Sequence, residues 1–157
     1  MPEKHEAKLK DGKKPERKVV LDVTFDDVPD TRRLSFWVEG VPVPMPRPRV
    51  SFRGGKAHVY PNARAEAWKK MVYAEYLKIA IAMKFKAMEK GEAVNVGLQF
   101  FLRNVATARP DLDNLAKTVL DALNGAAWHD DSQIVCLLIE KKKSATPGVL
   151  VGIFRAR

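Results

Sequence analysis

Five aspartates fall between residues 111 and 131 of this chain, Asp111, Asp113, Asp121, Asp130 and Asp131, with Lys117 the one Lys or Arg side chain among them. Crowded carboxylates repel one another unless a cation offsets them, so this spacing suits a divalent-metal site. In Pro110-Asp111-Leu112-Asp113-Asn114 the first two would lie on one side of an extended segment, with Leu112 turned inward. Capping of a helix start is the competing account of one or both. Asp130 and Asp131 follow Trp128-His129, where a polar turn is the plainer account. Asp113, Lys117 and Asp121 stand at i, i+4 and i+8, on one helical face. That spacing builds an ion-pair ladder, or it sets Lys117 beside the aspartates to hold a phosphate; Asp121 is read as structural. Oxygen donors with no Cys or His cluster favour Mg2+ or Mn2+ over zinc. His5, His58 and His129 have no ligand spacing, and the single Cys136 alternates within an apolar stretch as a core residue does. No Gly-rich phosphate loop and no Gly-x-Ser-x-Gly elbow is present, which argues against a side-chain nucleophile.

The elements that must carry these residues are legible from periodicity. Leu34, Phe36 and Val38 alternate as a strand. Pro42, Pro44, Pro46 and Pro48 then hold the chain extended, and Ser51 to Tyr60, with Gly54-Gly55, reads as a flap or hairpin. Asn62 is a candidate N-cap for a long helix through Trp68, Val72, Tyr76, Ile79, Met83 and Ala87, stopping at Gly91. Val94, Val96, Leu98 and Phe100 alternate with polar or small residues, the clearest strand in the chain. A second helix runs through Leu112, Leu115, Val119 and Leu123 and ends at Asn124-Gly125. Ile134–Glu140 and Val149–Phe154 read as strands joined in a hairpin by residues 144–148. The order β-α-β-α-β-β predicts an α+β (mixed α/β) fold, two helices packed on one mixed sheet.

With 157 residues the chain is sized for one domain. Residues 1–33 read as a charged, partly mobile extension, in which Val19–Phe25 could form a short strand, and residues 34–157 as the domain. No apolar run approaches the ~18–20 residues of a membrane span. A charged start without a secretory signal, and one cysteine, suit a cytoplasmic, reduced protein. The net charge of +9 calls for a polyanionic partner. It is unevenly spread: residues 41–64 hold Arg47, Arg49, Arg53, Lys56 and Arg64 with no acid, and Lys141, Lys142 and Lys143 stand together. Arg47, Arg49, Arg53, Lys56 and Lys141–Lys143 are the candidate contacts to the phosphates of such a polyanion, made in a manner blind to sequence. The acidic island is the exception within a basic protein.

The run Pro110-Asp111-Leu112-Asp113-Asn114-Leu115-Ala116-Lys117, with Leu120-Asp121-Ala122-Leu123-Asn124-Gly125 and Trp128-His129-Asp130-Asp131-Ser132-Gln133-Ile134, resembles the RusA family of Holliday-junction resolvases. The Gly40-Val41-Pro42-Val43-Pro44 to Pro48-Arg49 loop and Tyr60-Pro61 resemble that family's amino-terminal region, so the likeness spans roughly residues 34–154. The resemblance implies a Mg2+-dependent endodeoxyribonuclease, acting as a homodimer on branched, four-way DNA. It assigns Asp111, Asp113 and Asp131 to the essential acidic positions that hold metal, Lys117 to the catalytic lysine, and Asp130 to a supporting acid. A twofold dimer matches a junction that needs paired nicks. A non-catalytic basic DNA-binding protein, and a module presenting the polyproline loop to a partner, are the alternatives.

Overall fold

The computed structural model describes residues 32–46, 50–59, 62–105 and 109–156, with backbone alone for 50–53 and 56–59. Its elements are β1 (Arg33–Glu39), β2 (Val50–Arg53), β3 (Lys56–Val59), α1 (Ala63–Ala82), β4 (Val94–Leu102), α2 (Leu112–Leu123), β5 (Ile134–Lys143) and β6 (Gly148–Arg155). The fold is α+β, as expected: α1 and α2 pack with a four-stranded mixed sheet of order β1-β6-β4-β5. β2 and β3 form a separate hairpin turning at Gly54-Gly55. The residues of the expected strand Val19–Phe25 lie outside those described, as does most of the extension. Among the described residues no helix is long and apolar enough to cross a membrane.

Alternation in β1 buries Leu34, Phe36 and Val38 under α1. That helix starts where Asn62 Oδ1 accepts from the backbone N–H groups of Arg64 and Ala65, at 3.0 and 3.2 Å. It lays Ala65, Trp68, Val72, Tyr76 and Ala80 into the core. The helix ends at Ala82, well short of Gly91. Lys84 adopts φ 51, the Phe85 N–H reaches back to Ala80 O at 2.9 Å, and Phe85 sets its ring edge-on to Tyr76. Capturing Phe85 closes the helix even though the apolar spacing continues. Met88 is buried outside the helix, its N–H bonded to Ala127 O.

The expected hairpin of β5 with β6 is not formed, because β4 lies between them. β4 is sunk in the sheet on both faces, Gln99 included, and a strand so buried takes a neighbour on each side. β6 flanks it antiparallel, and β5 flanks it parallel after the α2 crossover. The 144–147 connection therefore crosses the end of β4, where the Ser144 N–H bonds Leu102 O. β6 in turn accepts Trp37 over Gly148, where a Cβ would stand 2.2 Å from the indole ring. β5 is left as an edge strand, so Cys136, expected in the core, is exposed.

Candidate active site

α2 sets the geometry. Asp111 is its N-cap residue, although its side chain makes no capping bond and instead lies 3.4 Å from Asn114 Nδ2. The helix begins at Leu112, so Asp111 and Asp113 do not share one side of an extended segment; Asp113 is in the first turn, where the helix dipole favours a carboxylate. Leu115, Ala116, Thr118, Val119 and Leu123 face the core, which leaves Asp113, Lys117 and Asp121 on the exposed side. The ion-pair ladder is absent. Salt bridges among the described residues lie elsewhere and include Lys69–Glu66, Lys78–Glu75, Lys142–Glu140 and the pairing of Glu92 with Arg32 and Arg155.

Asp113, Lys117 and Asp121 instead line a cavity with Ala116 and Leu120 of α2, Leu137 and Ile139 of β5, and Asp131. At about 190 Å³ it holds roughly six water volumes, enough for a hydrated cation or a phosphate group. Asp113 and Asp121 are two turns apart, ~12 Å along the axis, so the carboxylates line a trough. In keeping with this, no three His, Cys, Asp or Glu side chains among the described residues converge into a ready-made metal cluster. The donor set nonetheless fits a hard cation such as Mg2+, which is commonly held by one or two carboxylates with its own waters and a substrate phosphate.

Asp131 reaches the trough because the chain doubles back after α2. Gly125 turns with φ 78, and Ala127 and Trp128 plunge into the core. The Trp128 indole N–H then donates to Asp131 Oδ1 at 2.7 Å. A fully buried ring thus fixes the orientation of a carboxylate at the trough, a role that sequence reasoning missed. The signal was the three-residue spacing from Trp to Asp across a turn.

Asp130, its neighbour, faces elsewhere. It caps the short 3-10 turn Asp131–Gln133 by accepting the Ser132 N–H at 2.9 Å, and hydrogen bonding from Ser132 holds its carboxyl below the usual range. Gln133 closes the same turn: its Oε1 accepts the His129 and Asp130 N–H groups, and its Nε2 donates to Glu89 O and Glu92 O. Asp130 lines a second hollow of about 570 Å³ with Lys90, Glu92, His129, Gln133 and Val135. Asp113, Lys117, Asp121 and Asp131 are therefore brought together, while Asp111, at the entry of α2, and Asp130 are not among the side chains that line the trough.

The candidate DNA contacts divide likewise. Lys141 Nζ donates to Pro110 O, which ties β5 to the entry of α2, and Lys142 pairs with Glu140, while Lys143 is exposed. The Met45 N–H bonds Asn114 O at 2.9 Å, so the proline-rich loop is pinned to the first turn of α2. That contact comes two residues before Arg47, which, like Arg49, lies outside the described residues. Arg53 and Lys56 face each other in register at the tip of the β2–β3 hairpin.

An acid-lined trough with a lysine, on this sheet and crossover helix, coincides with a match to a known family. The family model for endodeoxyribonuclease RusA matches residues 39–154, and the chain belongs to that family. The chain is also 34% identical over 139 residues to "Uncharacterized protein YqaN" of Bacillus subtilis (strain 168), an alignment covering 76% of this chain and 94% of the relative.

Proposed function

We propose that this chain is a divalent-metal-dependent endodeoxyribonuclease that resolves four-way DNA junctions by paired nicks, as a homodimer in the cytoplasm, in recombination and repair. The observation that carries this reading is the trough in which Lys117 stands among Asp113, Asp121 and Asp131 within a RusA-family domain. Asp113 and Asp131 would hold Mg2+ or Mn2+, with Asp111 at the helix entry and Asp130 behind the turn as further acids of the site. When bound, such a cation makes water nucleophilic near neutral pH and offsets charge on phosphate oxygens.

The chain's own groups do the remaining work. The Lys117 ammonium faces the place a scissile phosphate would take, and its charge counters the negative charge that builds on the phosphoryl oxygens. Trp128 keeps Asp131 turned to the trough, so the carboxylate need not be ordered when substrate arrives. Arg47, Arg49, Arg53, Lys56 and the lysines at the end of β5 would track the arms of the junction through phosphate contacts.

The test is cleavage of a synthetic four-way junction beside a linear duplex of the same sequence, with Mg2+, with Mn2+ and with chelator. Paired nicks in the junction alone, lost with chelator and in Asp113→Asn while junction binding persists, are the expected result. Binding without cleavage in either metal would leave a DNA-binding protein and remove the catalytic reading.

A further inference from the structure

Asp131 hangs from a stretch of chain that the apolar core does not hold. Trp128 before it is buried and Ile134 after it is partly buried, but between them His129, Asp130 and Ser132 are exposed, and no residue of the Asp131–Gln133 turn is buried. A turn without packed side chains keeps its shape through hydrogen bonds. Gln133 ties this one down twice. Its Oε1 accepts the His129 and Asp130 N–H groups at 2.8 and 2.9 Å, which closes the turn on itself. Its Nε2 donates to Glu89 O and Glu92 O at 2.6 and 2.8 Å, across 44 and 41 residues of sequence.

The loop reached by these two bonds is itself anchored. Met88 is buried and its N–H bonds Ala127 O at 2.9 Å. The Glu92 N–H closes on Glu89 O at 3.0 Å, and the Glu92 carboxylate pairs with Arg32 and Arg155. Val94, fully buried, then begins β4. Gln133 therefore fastens an unpacked turn to a fixed one. The task suits an amide, which offers two acceptor and two donor positions on one arm; Glu has acceptors alone, Lys donors alone, and Met neither in strength.

We propose that Gln133 is a positioning residue for Asp131: it holds the backbone from which the carboxylate reaches the trough, while Trp128 holds the carboxylate itself. The consequence for metal rests on the nuclease reading. Without the clasp the turn is tethered only at its two ends, and the 2.7 Å bond from the Trp128 indole to Asp131 loses its fixed acceptor. A carboxylate free to wander must be ordered when a cation binds. That cost weakens metal binding and leaves the chemistry unchanged once metal saturates.

The experiment follows the indole N–H signals of Trp37, Trp68 and Trp128, the three tryptophans of the chain, by NMR. Beside it, Mn2+ binding is read from the loss of the free ion's paramagnetic resonance signal. Gln133→Met keeps the side chain's length and removes all four bonds. The Trp128 signal is expected to move upfield and to exchange faster with solvent, while those of Trp37 and Trp68 stay, and Mn2+ is expected to bind about 10-fold more weakly. In the junction assay the Mn2+ midpoint rises to match, with the rate at saturating Mn2+ little changed. Gly148→Ala, which disturbs the β1–β6 contact, controls for lost stability alone and is expected to leave the Trp128 signal and the Mn2+ midpoint in place. Should Gln133→Met fail to fold, Gln133→Glu keeps the two bonds within the turn and loses the two across it, and the Trp128 signal is expected to move there too. A Trp128 signal that stays in the folded variant, or one that moves while wild-type Mn2+ affinity is retained, would overturn the proposal. A signal that moves as expected in a protein whose wild type binds no Mn2+ and cuts no junction would keep Gln133 as the holder of Asp131 and refute the nuclease reading alone.

Discussion

Trp128 is 1% exposed, and its one polar atom is spent on Asp131. Removing that N–H while keeping the aromatic bulk, as in Trp128→Phe, is expected to lower cleavage roughly 10- to 100-fold with junction affinity little changed, a split measured by single-turnover cutting beside a gel-shift titration. Lys117→Met removes the one cation among the trough's charged groups and is expected to slow cleavage about 100- to 1,000-fold. Asp121→Asn separates two readings of that residue: a bystander on the helix surface leaves cleavage unchanged, whereas a working trough carboxylate shifts its metal dependence. Asp113 and Lys117 were legible because helical spacing alone puts them on one face, and the structure keeps them there. The ladder that the same spacing suggests for Asp121 does not form; the side chains line a cavity instead. The split of Asp130 from Asp131 was hidden, since adjacent residues at a turn diverge according to which one caps it.

The elements were mostly visible from their periods, and the misreadings came where a long-range contact overrode a local pattern. Apolar spacing continues past Ala82, yet Lys84 takes a left-handed conformation and Phe85 folds onto Tyr76. A turn-rich linker suggested a β5–β6 hairpin, but burial of β4 on both sides claimed a neighbour at each edge. Gly148→Ala puts a methyl into the Trp37 ring and is expected to destabilise the fold by about 1–3 kcal/mol, read from urea unfolding. Glu92 ties the chain entering β1 to the start of β4 and the end of β6 through Arg32 and Arg155. The Glu89 backbone N–H, with Arg32 and Arg155 beside it, holds the Glu92 carboxyl below its ordinary value of 4.5. A depressed folded value means that its stabilising contribution is complete above that ordinary value and is lost as pH falls through the lower folded one. Glu92→Gln is therefore expected to cost stability near neutrality and to flatten the acid side of the stability curve, measured by unfolding at pH about 7 and about 3.

Across the whole molecule the charge is +9, and the acid-lined trough is the local exception to it. Replacing Arg47 and Arg49 with Ala is expected to reduce the slope of log affinity against log salt by up to about two, one for each phosphate the loop no longer neutralises. An unchanged slope would remove the loop from the interface. Among the described residues the trough is also built from one crossover: Asp113, Lys117, Asp121, Asp131, Leu137 and Ile139 all belong to α2, the following turn or β5. α2 is consequently a ruler. Each residue inserted between Lys117 and Asp121 would rotate the two ends of the trough by about 100° and part them by ~1.5 Å, whereas a four-residue insertion nearly restores the phase at ~6 Å of added length. The separation of the Asp113 and Asp121 ends of the trough is thus set by the turn count of a single helix, and under the proposed function a change of one turn is expected to alter how a junction phosphate fits between them.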